Sequence, residues 1–191
     1  MSRIIAGDAG SIRLAGAPSG TRPTSDRVKE SLFGSLEAMD CLDGSAVLDL
    51  FCGTAALGLE ALSRGAGSLV GVEKHRPALQ VALKNAAAVG TALSAAGRRP
   101  PMEFKLADSF GYLAGTEKEF DLILADPPYS LETSEVERLV GLAAKIIRPQ
   151  GVIAIEQSSK VGAIEAPEGL ELVARRDYGD TCVFVFIASA R

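Results

Sequence analysis

Tryptophan is absent, histidine occurs once and cysteine three times, and each scarcity removes a class of chemistry. With His75 alone, no histidine pair is available for zinc, and a Ser-His-Asp triad would hang on one residue; His75 reads as a solvated residue opening a helix. Cys41, Cys52 and Cys182 are odd in number and contain no C-x-x-C pair, so neither a disulfide framework nor a thiolate metal site is expected. That usage fits a reducing cytoplasm. No apolar run reaches the roughly 18 residues that span a bilayer, and no signal peptide or lipidation site is recognisable, so no membrane partner is expected. Broad positive charge is missing too: the formal net charge is −4, which argues against coating nucleic acid by general attraction. A local basic patch remains, because Arg3, Arg13, Arg22, Arg27 and Lys29 outnumber Asp8, Asp26 and Glu30 in the first 30 residues.

What is present is an alternation. Short β-rich apolar runs, "AVLDLF" (46–51), "SLVGVE" (68–73), "MEFKLA" (102–107), "FDLILA" (120–125) and "GVIAIE" (151–156), are separated by helical patterns. Continuous apolar strands suit a parallel sheet covered on both faces, so a doubly wound α/β fold is expected. The stretch "RPALQVALKNAAAVG" predicts a helix ending at Gly90, with 91–101 a loop. Ser134 and Glu137 form a candidate capping box for a helix running toward Ile147, which Pro149 and Gly151 would stop. Residues 170–188 read as an antiparallel hairpin through Gly179 and Asp180 that closes the sheet edge. At the other end, 3–16 reads as a small hairpin and 24–39 as a helix burying Val28, Leu32, Leu36 and Met39, with Arg27 off that stripe. One domain is expected over 1–191: an extension, 1–40, on a core, 41–191.

In open α/β sheets ligands bind at the carboxyl ends of strands, and acids collect there. Asp49 lies in the first strand ahead of Phe51 and Gly53, in a turn where backbone can approach a ligand. Glu73 ends the second strand at a spacing that suits ribose hydroxyls. Asp108, followed by Ser109, ends the third, and is equally suited to cap a helix. Asp126 ends the fourth. Carboxylates are seldom buried without partners, so the set points to a nucleoside-containing cofactor.

Two chemistries compete for it. "GTAALG" fits a loosened dinucleotide-binding turn, but a nicotinamide dehydrogenase lacks a proton acceptor here and leaves "DPPY" (126–129) idle. Methyl transfer from S-adenosylmethionine gives that motif work, since an already activated methyl group asks mainly for a positioned nucleophile. Asp126 and a carbonyl held by Pro127 and Pro128 can accept both N–H bonds of an exocyclic amine, and Tyr129 can stack on a base taken from its neighbours. A non-catalytic RNA-binding assembly factor that keeps the fold is the reading from a third class. Cys52 reads as a small space-filler, having no histidine or lysine nearby to activate it.

With those residues in view, "RPTSDRVKESLF" (22–33), "VLDLFCGTAALGLEALSRGA" (47–66) and "DPPY", supported by "YGDT" (178–181), make the chain similar to class I S-adenosylmethionine-dependent methyltransferases. It resembles specifically the RsmD-like family, which methylates guanine N2 in 16S ribosomal RNA. The resemblance implies a seven-stranded, mostly parallel sheet and a cytoplasmic monomer acting on a partly assembled small ribosomal subunit, with no metal. It implies Asp49 and Gly53 at the methionine part of the cofactor, Glu73 at the ribose, Asp108 and Ser109 at the adenine, and Phe51 among the cofactor contacts. Asp126, Pro127, Pro128 and Tyr129 would hold the guanine amine. Arg3, Arg13, Arg22, Thr24 and Arg27 would meet RNA, arginines by bidentate phosphate contact. Amino-methylation of DNA adenine or of protein glutamine is the alternative within the class. Ala55 stands where the family usually has glycine, and Gly34 where asparagine is common.

Overall fold

The computed structural model describes residues 2–16 and 25–190. Its core is a seven-stranded sheet in the order β3-β2-β1-β4-β5-β7-β6, built from β1 (Ala46–Leu50), β2 (Ser68–Glu73), β3 (Met102–Leu106), β4 (Phe120–Ala125), β5 (Ile147–Ser158), β6 (Leu170–Tyr178) and β7 (Thr181–Ala188). The first five strands are parallel, and β7 pairs antiparallel with both β5 and β6. This is the expected doubly wound fold with its antiparallel closing hairpin. β1 and β4 run side by side in the middle, their apolar positions buried apart from Ala46 at the start of β1, which is why their sequences read as continuous hydrophobic runs.

Helices cover both faces. On one lie α1 (Asp26–Ala38), α2 (Ala56–Ser63) and α3 (Arg76–Ala95), on the other α4 (Ser109–Gly115) and α5 (Thr133–Ala143). Ser25 caps α1 by accepting from the Val28 amide at 3.3 Å, and Val28, Leu32, Phe33 and Leu36 are buried beneath it, at about 1.5–3 kcal/mol for each large side chain. In front of α1 the chain crosses itself once, where Arg3 bridges Arg13 in antiparallel fashion. This small hairpin is pinned to α2: Glu60 accepts from the amides of Ile5 (2.7 Å) and Ala6 (3.1 Å), and Ser63 Oγ from that of Ala9 (3.0 Å). Gly7, at φ 82°, lies so close that a Cβ would sit 2.0 Å from the Ser63 carbonyl oxygen.

Three boundaries differ from the sequence reading. α3 does not stop at Gly90 but runs to Ala95, so residues 91–95 are helical and not loop. Gly90 gives way to Met102 of β3, whose Cε would lie 3.1 Å from an added Cβ. The true stop is Gly97, at φ 81°: its amide donates to Ser94 O and that of Arg98 to Leu93 O, the Schellman pattern. The capping box of α5 is Glu132 with Glu135, two residues upstream of the expected pair. α5 ends at Ala143, and Pro149 and Gly151 lie inside β5, where the register with β4 shifts and Gln150 takes φ 62°. At Gly151 a Cβ would press on the carbonyls of Arg148 and Asp121, both at 2.9 Å. Gly34 lies exposed with open space around it, and nothing in the structure explains glycine there.

Candidate active site

Parallel pairing brings the carboxyl ends of β2, β1, β4 and β5 into one row. After Leu50 the chain turns with Phe51 (φ 54°), Gly53 (φ 55°) and Ala55 (φ 61°) all left-handed, a conformation that only glycine adopts without strain. Alanine at 55 therefore carries the strain that a glycine would avoid, which is the physical content of the departure noted in the sequence. Above Gly53 the space is open: an added Cβ would meet nothing nearer than Phe51 O at 3.9 Å. Backbone can be approached there by a ligand.

Two acids lie under this turn. Asp49 is 1 % exposed and accepts from the Gly58 amide at 2.9 Å. Burial raises its pKa to about 7, the Gly58 amide opposing and the charge of Glu73 adding to the rise. A Cβ on Gly58 would stand 2.5 Å from a Leu69 methyl and 2.9 Å from Asp49 Oδ2, so this glycine is needed for contact between α2 and the sheet. Glu73 takes the Gly53 amide on Oε2 at 2.9 Å and the His75 amide on Oε1 at 2.8 Å. A carboxylate has about four lone-pair sites, so both oxygens retain acceptor capacity. The Cys52 thiol is buried beside these acids, and burial first and then their charges push its pKa well above the usual value. It is unsuited to nucleophilic work and fills space.

At the third strand end, Asp108 caps α4 by accepting from the Gly111 amide at 2.9 Å. Ser109, buried, accepts from the Phe51 amide at 3.2 Å. Phe51 meets Phe110 edge-to-face with centroids 6.2 Å apart, and the Arg138 guanidinium lies 5.2 Å from the Phe110 centroid. Phe110 thus packs on Phe51 of the turn with Arg138 behind it, and the sequence reading named neither. The "SF" that follows Asp108 was the available signal for the first.

Asp126 follows β4, its amide reaching Leu50 O at 3.5 Å, so the acid stands beside the glycine turn. Pro127 is buried and Pro128 exposed, and Pro128 O closes the next turn by accepting from the Leu131 amide at 2.9 Å. The Tyr129 ring is exposed, at 39 %, but its hydroxyl is held: it meets Thr181 Oγ1 at 2.5 Å and Glu156 Oε1 at 3.3 Å. Partial burial raises the Tyr129 pKa; the Thr181 hydrogen bond opposes that shift, and the charges of Glu156 and Asp126 reinforce it. Neither Glu156 nor Thr181 was singled out in the sequence, although "GVIAIE" ends on an acid as the neighbouring strands do.

The candidate RNA contacts divide. Arg13 and Arg27 are exposed; Arg3 is exposed and pairs with Asp26 at 3.3 Å. The bridge sets Arg3 directly opposite Arg13, a like-charge pairing that Asp26 relieves on the Arg3 side. Arg22 and Thr24 fall outside the described residues. Lys29, by contrast, is fully buried, donating to Ser2 Oγ at 3.0 Å and Arg3 O at 2.5 Å; it fastens the extension. Among the described residues no acid, histidine and cysteine cluster could hold a metal ion, and no helix is long and apolar enough to cross a membrane.

The model of a family described as "conserved hypothetical protein 95" matches residues 2–187. YlbH of Bacillus subtilis, a proposed rRNA methyltransferase, is 31 % identical over 185 residues, covering 96 % of this chain and 97 % of YlbH. Ribosomal RNA small subunit methyltransferase D of Haemophilus influenzae is 30 % identical over 160 residues, 84 % of this chain and 79 % of the relative. Among solved structures, yhhF of Escherichia coli, a proposed methyltransferase, superposes with a TM-score of 0.82 at 26 % identity, covering 100 % and 99 % of the two chains.

Proposed function

The chain belongs to the conserved hypothetical protein 95 family, the RsmD-like methyltransferases, and from that premise we propose that it methylates the exocyclic N2 amine of a guanine in 16S ribosomal RNA. The observation that carries the reading is the junction of two strand ends: the amide of Asp126 meets the carbonyl of Leu50, so "DPPY" begins beside the open glycine turn.

S-adenosylmethionine fits that turn: Gly53 leaves open space above its backbone, and Glu73 beneath it has acceptor capacity for ribose hydroxyls. When bound, it supplies a methyl group already activated on a sulfonium. The protein's own residues then do three things. Glu73 holds the turn from below through the Gly53 amide, and Asp49 holds the first turns of α2 behind it through the Gly58 amide. Phe51, Ser109 and Phe110, with Asp108 fixing the start of α4, bound the adenine side. Asp126, with a proline-held carbonyl, accepts the N–H bonds of the guanine amine and turns its lone pair toward the methyl group, while Tyr129 stacks on the base.

Arg3, Arg13 and Arg27, with Arg22 and Thr24, form the RNA-binding part of a 1–40 extension on the 41–191 core. A locally basic extension lets an acidic protein meet a polyanion. The substrate is the RNA of a partly assembled small subunit in the cytoplasm, and the enzyme acts as a monomer. Transfer of labelled methyl groups to such subunits, compared between wild type and Asp126→Ala, tests the proposal. A fall in kcat of about 10²–10³-fold, the scale for losing a positioned electrostatic contact, with cofactor affinity kept, supports it. Equal loss of turnover and cofactor binding would remove Asp126 from the role.

A further inference from the structure

We infer that Thr181, together with Glu156, is a positioning residue for the base-binding platform, fixing the plane of the Tyr129 ring through its hydroxyl. The inference rests on the reading of Asp126 to Tyr129 as the amine-holding site.

Tyr129 sits in a loop with an exposed ring, and an exposed phenol is satisfied by water alone. Here it is instead tied to side chains of two other strands. Thr181 Oγ1 lies 2.5 Å from the phenol oxygen and Glu156 Oε1 3.3 Å. Both partners are buried, Thr181 at 6 % and Glu156 at 5 % exposure. The protons have one consistent arrangement. The phenol donates to Glu156 Oε1, so Thr181 donates to the phenol oxygen, and the two linked bonds strengthen each other.

The anchor is itself braced. Thr181 opens β7, opposite Ser158 of β5 and Tyr178 of β6. The Tyr178 hydroxyl lies 2.5 Å from Ser31 Oγ of α1, and Arg176 donates to Ser35. The phenol is thus tied to the central sheet, and the closing hairpin that carries Thr181 is tied to the helix of the N-terminal extension. The likeness in "YGDT" thereby gains a physical reason, since its last residue holds the last residue of "DPPY". Stacking on an aromatic ring contributes about 1–3 kcal/mol per base, and a reacting group displaced by about 1 Å loses rate by about 10²-fold. A ring free to swing would present the base without fixing the direction of its amine.

The test has two arms on the full chain. In the first, ring-labelled tyrosine is followed by NMR, with Tyr112 as the internal reference for Tyr129. Thr181→Val should shift and broaden the Tyr129 ring signals, and Thr181→Ser should restore them; Glu156→Gln should move the same signals if Thr181→Val does not fold. Unmoved Tyr129 signals in the folded variants would overturn the inference, whichever amine is the substrate. In the second, methyl transfer is measured for Thr181→Val, Tyr129→Phe and the double variant. Each single change should lower kcat about ten-fold, the scale of one hydrogen bond, with cofactor affinity unchanged, and the double variant should be no slower than either. Wild-type kcat in Thr181→Val, or effects that multiply, would contradict it. A wild-type enzyme that methylates no guanine would sink the functional reading while the NMR arm still decides the positioning.

Discussion

The backbone amide of Gly53 donates to Glu73 Oε2 at 2.9 Å, joining the turn after β1 to the end of β2. One carboxylate therefore shapes the turn that we propose as the cofactor's cradle.

Glu73→Ala should accordingly have two effects. The amides of Gly53 and His75 lose their acceptor, which destabilises the fold by about 1–3 kcal/mol. Affinity for S-adenosylmethionine should fall at least ten-fold. Urea denaturation and calorimetric titration measure the two separately, and an unchanged dissociation constant would exclude Glu73 from the cofactor site.

Ala55 and Ala61 are both fully buried, yet glycine should act differently at each. At Ala61, inside α2, Ala→Gly removes a buried methyl group and helix propensity and should destabilise by about 1.5–2 kcal/mol. At Ala55, φ 61°, relief of left-handed strain of about 1–2 kcal/mol offsets the lost methyl group. Stability should then change by less than about 1 kcal/mol, and equal losses in denaturation at the two sites would refute the strain at 55.

Asp49 gives stability a pH dependence of a particular sign. Burial raises its folded pKa from 3.8 to about 7, so between these values the folded state holds a proton that the unfolded state has lost. Its contribution therefore weakens as pH rises from about 4 to about 7 and is flat above. Denaturation of wild type and Asp49→Asn across this range should show the difference moving in favour of the asparagine variant as pH rises. A constant difference would contradict the raised pKa.

Glu60 is the fastening of the N-terminal hairpin. It is fully buried and accepts from Ile5, Ala6 and Arg64, the last at 2.7 Å. Glu60→Ala leaves two backbone donors without their acceptor and Arg64 paired with Glu37 alone, a loss of about 1–3 kcal/mol for each unsatisfied donor. Limited proteolysis should cut residues 2–16 first. Cleavage no faster than in wild type would show that the hairpin is held by its apolar residues alone.

The sheet was legible because parallel strands buried on both faces leave uninterrupted apolar runs, as in "FDLILA". The strand-end acids were legible as a set, although the structure gives Asp49, Glu73 and Asp108 each a backbone amide to hold. What escaped was non-local. Gly90 reads as a stop, yet α3 passes through it because Met102 occupies the space beside it. Glutamate is not a favoured N-cap, so the box at Glu132 was hidden behind the more ordinary Ser134. Lys29 looks like a surface residue until Ser2, 27 residues away, is folded against it. The partners of Tyr129 lie 27 and 52 residues off in sequence, beyond the reach of any local pattern. The dehydrogenase alternative, open on spacing alone, closes with family membership.

The most direct test supplies the protein with S-adenosylmethionine carrying a labelled methyl group and with small ribosomal subunits lacking the modification, then digests the RNA and identifies the labelled nucleoside by mass spectrometry. Label in N2-methylguanosine, lost in Asp126→Ala, is the expected result. Label in another nucleoside, or none from a protein shown to bind the cofactor, would contradict the account.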